Sequence, residues 1–174
     1  MIPVLYINGR FMEEPDADRL TFPWVLLKHW NRLIGKGELG LAPRMIVLTS
    51  RKFEGNSPWE YIPVKRAGLF SGDKWEQFDL PRLAKDGLLF SPLGTGPVNH
   101  PRQIVRYPDT ALFGEPRAFP LVYRVRAQNS EKKLLRQALR VITDTNFSRM
   151  KLERLAEVPA HLLYVLPAGV DQLL

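Results

Sequence analysis

The chain has 174 residues, no cysteine, 45% apolar and 25% charged residues, and a net charge of +7 with a pI of about 9.9. That length and balance suit one globular domain able to bury a sizeable core, and without cysteine there can be no disulfide, cysteine-ligated zinc or thiol nucleophile. No apolar run approaches the roughly 20 residues of a membrane span, and MIPVLYING at the N-terminus lacks the basic leader of a signal peptide, so the expected location is cytoplasmic.

Ile2–Asn8 is an apolar run ending at Gly9 and reads as a buried strand. Thr21–Ile34 reads as a helix, because Phe22, Leu26, Trp30, Leu33 and Ile34 recur at helical spacing. Pro23 must then lie in the first turn, where a missing N–H costs little, and Gly35 can end the helix. Met45–Ser50 is a second β-rich run, and Tyr61–Val64 a shorter third. Trp75–Ala84 looks helical, with Pro81 expected to break or kink it. Leu88–Phe90 is a short buried strand that runs into the loop SPLGTGP, and Gln103–Tyr107 is another strand. Glu131–Arg140 reads as a helix with Leu134, Leu135, Ala138 and Leu139 inward and Lys132, Arg136 and Arg140 outward. Val141–Thr143 follows as a strand. Thr145 or Asn146 can cap the next helix, expected to turn Phe147, Met150 and Leu155 inward. Leu162–Leu166 is the last strand. Strands alternating with helices predict an α/β, Rossmann-like domain over residues 1–174, with a mainly parallel sheet flanked by helices.

Ligands of such folds sit beyond the carboxyl ends of strands, which draws attention to two places. Gly94–Pro97, GTGP, could bring backbone N–H groups to a phosphate, although it lacks the spacing of a Walker loop or dinucleotide fingerprint; by itself it is more economically a tight turn. Asp109 follows the Gln103–Tyr107 strand. Asp16 and Asp18 follow the first strand and read as helix-capping groups before cation ligands. Glu76 and Asp79 share a helix. His29, His100 and His161 are far apart and have no metal-ligand spacing, so no metal site is expected. The positive charge is scattered rather than gathered in a tail, which reads first as solvated surface. The bases Lys132, Arg136 and Arg140 could touch a membrane surface or an acidic partner. No aromatics interleave with them, so nucleic acid is not an expected partner.

Five segments in order, VLYINGRF, WEQFDLPRLAKDGLLFSPLGTGP, RQIV, RVITDTNFSRMKL and VPAHLLYVLPAGVD, together resemble the N-terminal half of a family 4 glycosyltransferase of GT-B fold, the mannosyltransferase-like branch. The resemblance implies the acceptor-side domain of an enzyme that transfers a sugar from a nucleotide sugar to a saccharide acceptor, with retention and without an obligatory metal or other cofactor. The donor-side domain, with its Glu-x7-Glu motif, would have to be supplied from outside this chain, in cis or in trans. Several positions depart from the family. Asp18 stands where a loop Gly is usual and Thr21 where an Arg is usual; a carboxylate repels a diphosphate, and a lost Arg removes a bidentate partner. Pro108-Asp109 replaces His-Asp, and Gly72-Asp73-Lys74-Trp75-Glu76-Gln77 replaces GHLWEQ. The expectation is therefore a glycosyltransferase-like domain with little or no activity by itself, the alternative being an inactive Rossmann-like scaffold or weak ligand-binding domain. Asp109 is the candidate acid/base group; Glu76, Thr95, Gly96, Asp18, Asn8 and Gly9 are the substrate-binding candidates.

Overall fold

In the computed structural model the described residues are 4–13, 21–39 and 44–167, apart from the side chain of Pro116. The chain divides into two compact units, Met1–Pro92 and Leu93–Leu174. The dividing point falls at the start of the Gly/Pro loop noted in the sequence.

The first unit contains strands β1 (Leu5–Asn8), β2 (Met45–Thr49), β3 (Val64–Arg66) and β4 (Leu88–Ser91), in the spatial order β3-β2-β1-β4. All its pairings are parallel: Leu5 lies opposite both Met45 and Leu88, and Val47 opposite Val64. Buried on both faces, such strands read as continuous apolar runs rather than alternating ones, and IPVLYIN and MIVLTS have that form. Between β1 and β2 runs helix α1 (Phe22–Gly35), with Pro23 in its first turn as expected. The expected third strand is displaced: it begins at Val64 and carries the exposed Lys65 and Arg66. At the edge of this unit's sheet it needs no apolar pattern on its outer side.

Pro81 does not break its helix. The chain runs from α2 (Gly72–Lys74) through a π-helical segment (Trp75–Asp79) into α3 (Leu80–Leu83), and Leu80 N–H bonds back to the Trp75 carbonyl. A proline removes one intrahelical donor and its ring crowds the carbonyl four residues back; the wider i→i+5 turn just before Pro81 relieves that crowding while keeping the axis. Trp75 and Leu80, fully buried, then pack with Leu48, Ala84 and Leu89.

The second unit holds β5 (Gln103–Arg106), β6 (Arg140–Thr143) and β7 (Leu163–Val165), parallel and adjacent in that order. Helix α4 (Ala111–Gly114) and the longer α5 (Leu121–Gln137) connect β5 to β6, and α6 (Asn146–Leu155) connects β6 to β7. Parallel strands with helices between them, in both units, make the expected α/β, Rossmann-like architecture. Val105, Leu134, Leu135, Val141 and Leu152 form the second unit's core. Among the described residues no helix is long and apolar enough to cross a membrane.

Three details of this unit differ from expectation. Helix α5 starts ten residues earlier than its apolar stripe suggests. It also ends at Gln137, so Leu139 is half-exposed and Arg140 belongs to β6 rather than to the helix. On α6, Thr145 caps as expected, its hydroxyl accepting from Ser148 N at 3.0 Å. The inward face is different, however: Ser148 and Leu152 are buried, while Phe147, Met150 and Leu155 are exposed.

Candidate functional site

In the first unit, Asn8 ends β1 and Glu76 lies in the π-helical segment; both are buried. Asn8 Nδ2 donates to Glu76 Oε1 at 2.7 Å, and Arg10 NH1 donates to Glu76 Oε2 at 3.0 Å. Arg10 also pairs with the exposed Asp73, and its backbone N–H reaches Asn8 Oδ1 at 3.3 Å. Burial works against the Arg10 charge, but Glu76 and Asp73 outweigh it and hold the guanidinium above its ordinary pKa. Gly9 is required by close approach: a Cβ there would come within 2.6 Å of the Leu48 carbonyl oxygen, to which Gly9 N–H donates at 2.7 Å. Asn8, Arg10 and Glu76 thus form one connected cluster in which both oxygens of the carboxylate have partners, and Gly9, between the first two in sequence, is tied instead to β2.

Asp79, on the same π-helical segment, accepts from the backbone N–H groups of Leu69 and Phe70, both at 2.8 Å. With Trp75 Nε1 donating to the Ala67 carbonyl at 2.7 Å, it fixes the loop that follows β3.

The second unit holds a pocket of about 210 Å³ just beyond the end of β5. Its loop wall is Leu93, Gly94 and Thr95; its polar groups are Asp109, Glu131 and Tyr107; Phe119 and Tyr123 add aromatic surface. Gly94 has φ of 78°, a left-handed conformation that L side chains rarely adopt, so glycine makes this turn possible. Thr95 and Asp109, two residues singled out in the sequence, are therefore brought together. Gly96 is buried one residue further along the loop and does not line the pocket.

Asp109 Oδ1 accepts from Ala111 N at 2.7 Å, which fixes the start of α4. Tyr107 donates its hydroxyl to Glu131 Oε2. Burial pushes the Glu131 carboxyl above its usual range and nearby Asp109 adds to this, against the hydrogen bond from Tyr107, which pulls it down. Burial, followed by the charge of Glu131, raises the Tyr107 phenol well above its ordinary value. Among the described residues that line the pocket there is no cation. A carboxyl held up by burial beside a second carboxylate is the arrangement that separates acid from base in many active sites.

Tyr107, Glu131 and the rings of Phe119 and Tyr123 line the pocket without being singled out by the sequence pattern. Tyr107 reads only as the last residue of a strand, and Glu131 as the first residue of a helix that in fact begins at Leu121. Of the remaining candidates, Asp18 lies outside the described residues. The basic residues on and after α5 are not one free stripe: Lys132 and Arg136 reach the Glu157 carboxylate at 3.1 and 3.5 Å, and Arg140 lies over the Tyr164 ring at 5.5 Å. Among the described residues no group of three or more His, Asp or Glu could hold a metal ion.

His161 is exposed and His29 half-buried, whereas His100 is buried and held below its ordinary pKa by that burial and by the charge of Arg102. No protein-family model and no curated protein matches the chain.

Proposed function

We propose that the pocket of the second unit binds a saccharide and that the chain is a glycosyltransferase-like domain serving the acceptor side of a sugar transfer. One observation carries this reading: Thr95 and Asp109, separated in sequence, line a single pocket with Tyr107, Glu131 and two further aromatic rings. Sugars present C–H faces and hydroxyl edges. The rings of Phe119 and Tyr123 offer apolar planes to the former, and carboxylates accept hydrogen bonds from the latter. Asp109 is the candidate base for an acceptor hydroxyl; Glu131, whose carboxyl burial holds above its usual range, can donate a proton or a hydrogen bond. The five-segment resemblance supplies the reaction class: a nucleotide sugar as donor, with mannose the first sugar to try, a saccharide as acceptor, and a donor-binding domain in cis or trans.

A second reading, a ligand-binding domain without transfer, is favoured by the Asn8–Glu76–Arg10 cluster, which commits Glu76 to partners within the protein. Thermal unfolding separates the readings, because a ligand that binds only the folded chain stabilises it by mass action. Mannosides and nucleotide sugars, each titrated in, should raise Tm for the wild type. Asp109→Asn should abolish the rise without lowering the starting Tm, since its carboxamide oxygen can still accept from Ala111 N. Hydrolysis of the nucleotide sugar would favour the transferase reading, and binding without hydrolysis the second. If neither class of ligand moves Tm, the saccharide pocket is wrong.

A further inference from the structure

The pocket beyond β5 carries two acids on its wall and, among the described residues that line it, no base to offset them. Asp109 Oδ1 accepts from the Ala111 N–H and Glu131 Oε2 from the Tyr107 hydroxyl, both neutral donors. The two bases that follow Glu131 on α5 have other partners: Lys132 Nζ reaches Glu157 Oε1 at 3.1 Å and Lys133 Nζ reaches Asn99 Oδ1 at 2.9 Å. The negative charge is felt by its neighbours. Asp109 adds to the burial that raises the Glu131 carboxyl, and Glu131 and Asp109 both add to the burial that raises the Tyr107 phenol. Both acids can be reached from the pocket, Asp109 being exposed and Glu131 half-buried. Two aromatic rings share the wall: Phe119 and Tyr123 are stacked, with centroids 6.0 Å and planes 29° apart. A carboxylate draws a cation by its charge and a ring face by its quadrupole, so both parts of the wall favour the same kind of ligand atom.

We infer that the pocket selects an amino sugar, a saccharide carrying a protonated amine, with the ammonium between Asp109 and Glu131 and the sugar ring against Phe119 and Tyr123. The inference rests on the saccharide reading of this pocket and adds to it the charge of the ligand. A neutral sugar can donate its hydroxyls to the two carboxyl groups but leaves their charge uncompensated. An ammonium supplies the same hydrogen bonds and the missing charge together, and a charge-assisted bond is the stronger kind. A bare metal ion suits the wall less well, since a hard cation asks for more oxygen ligands and among the described residues no group of three or more acids or histidines could hold one. The volume of about 210 Å³ is small for a ligand cleft and suits a single sugar residue.

Calorimetric titration of the full chain at neutral pH tests it, with glucosamine, N-acetylglucosamine and glucose as ligands and cyclohexylamine as a cation without hydroxyls. Glucosamine should bind at least about tenfold more tightly than glucose or N-acetylglucosamine, which keeps the nitrogen but not the charge. That advantage should shrink as salt is raised, while the affinity for glucose stays constant. Glu131→Gln keeps an acceptor for the Tyr107 hydroxyl; it should weaken glucosamine severalfold and leave glucose unchanged, with circular dichroism confirming the fold. The salt dependence of the wild type gives the same answer without a variant. If glucose and N-acetylglucosamine bind as tightly as glucosamine, the amino-sugar inference falls and the saccharide reading stands. If cyclohexylamine matches glucosamine and glucose does not bind, the saccharide reading falls and the amino sugar with it, leaving a site for a plain cation. A glucosamine preference that Glu131→Gln leaves intact would overturn the shared placement of the ammonium. No binding by any of the four would sink both readings.

Discussion

Each unit places a carboxylate near the end of a strand, Glu76 buried in the first and Glu131 half-buried in the second, and the two are given different company. In the first, Glu76 accepts from Asn8 Nδ2 and from Arg10 NH1, so each oxygen is matched and one partner carries the opposite charge. In the second, Glu131 accepts from a neutral phenol and has Asp109, a like charge, nearby. The first arrangement ties three segments of chain together and leaves the carboxylate nothing to exchange. The second holds the carboxyl above its usual range on the wall of a pocket. A buried acid is therefore no pointer to chemistry until its partners are known; the matched one stabilises the fold, and the unmatched one is the better candidate for function.

The largest effect should come from removing the matched acid. Glu76→Ala leaves Asn8 and Arg10 without their shared acceptor in a largely buried place, and stability should fall by about 3 kcal/mol or more, measured by urea unfolding. A loss below about 1 kcal/mol would mean that Asp73 alone satisfies Arg10, and the contrast between the two acids would shrink. Asp79→Ala comes next. It strips the acceptor from the Leu69 and Phe70 N–H groups, a loss of about 2 kcal/mol for hydrogen bonds to a charged group. Hydrogen exchange should show the Leu69 and Phe70 amides opening first. Thr145→Ala removes the cap of α6 and should cost about 1 kcal/mol, a purely backbone effect against which changes at the second unit's acid can be judged.

The same contrast explains how much can be read from the sequence. Strands such as MIVLTS declare themselves because parallel strands are covered on both faces, and Thr95 and Asp109 follow from them, since they sit where strands end. The beginning of α5 is silent: Leu121, Val122, Tyr123 and Val125 have no inward stripe because this end packs on little, so Glu131 reads as a helix start instead of the middle of a helix. On α6, three large apolar residues outweigh one in the sequence pattern. Yet Leu152, with the small Ser148, occupies the position facing the core, and Phe147, Met150 and Leu155 lie outside it. Side-chain bulk signals burial only when the helix has one apolar face, and α6 has apolar residues on two. Nothing in the spacing of Asn8, Arg10 and Glu76 announces their union, because a π-helical turn across Trp75–Asp79 sets the direction of Glu76.

The smallest effect on stability, and the most informative about the pocket, should come from Glu131→Gln. Glutamine keeps an oxygen for the Tyr107 hydroxyl and has nearly the same shape, so under acidic conditions, where Glu131 is neutral in both folded and unfolded chains, the change should lie within about 0.5 kcal/mol. The pH dependence is where the two proteins part. The folded-state pKa of Glu131 is raised above its unfolded value, so the folded chain holds the proton more tightly. That contribution to stability is fully present below the unfolded pKa and is lost as pH rises through the folded pKa. Glutamine has no proton to lose. The Tm of Glu131→Gln relative to wild type should therefore climb as pH is raised from the ordinary glutamate range toward neutrality, with a plateau once the wild-type carboxyl has ionised. His100, held low by burial, titrates in both proteins and cancels in the difference. A flat difference would mean that Glu131 titrates alike in the folded and unfolded chain, and Asp109 would then be left as the pocket's acid/base candidate without a neutral partner. A climbing difference marks Glu131 as the group that can carry a proton at the pocket wall, whereas Glu76 spends both its oxygens on Asn8 and Arg10.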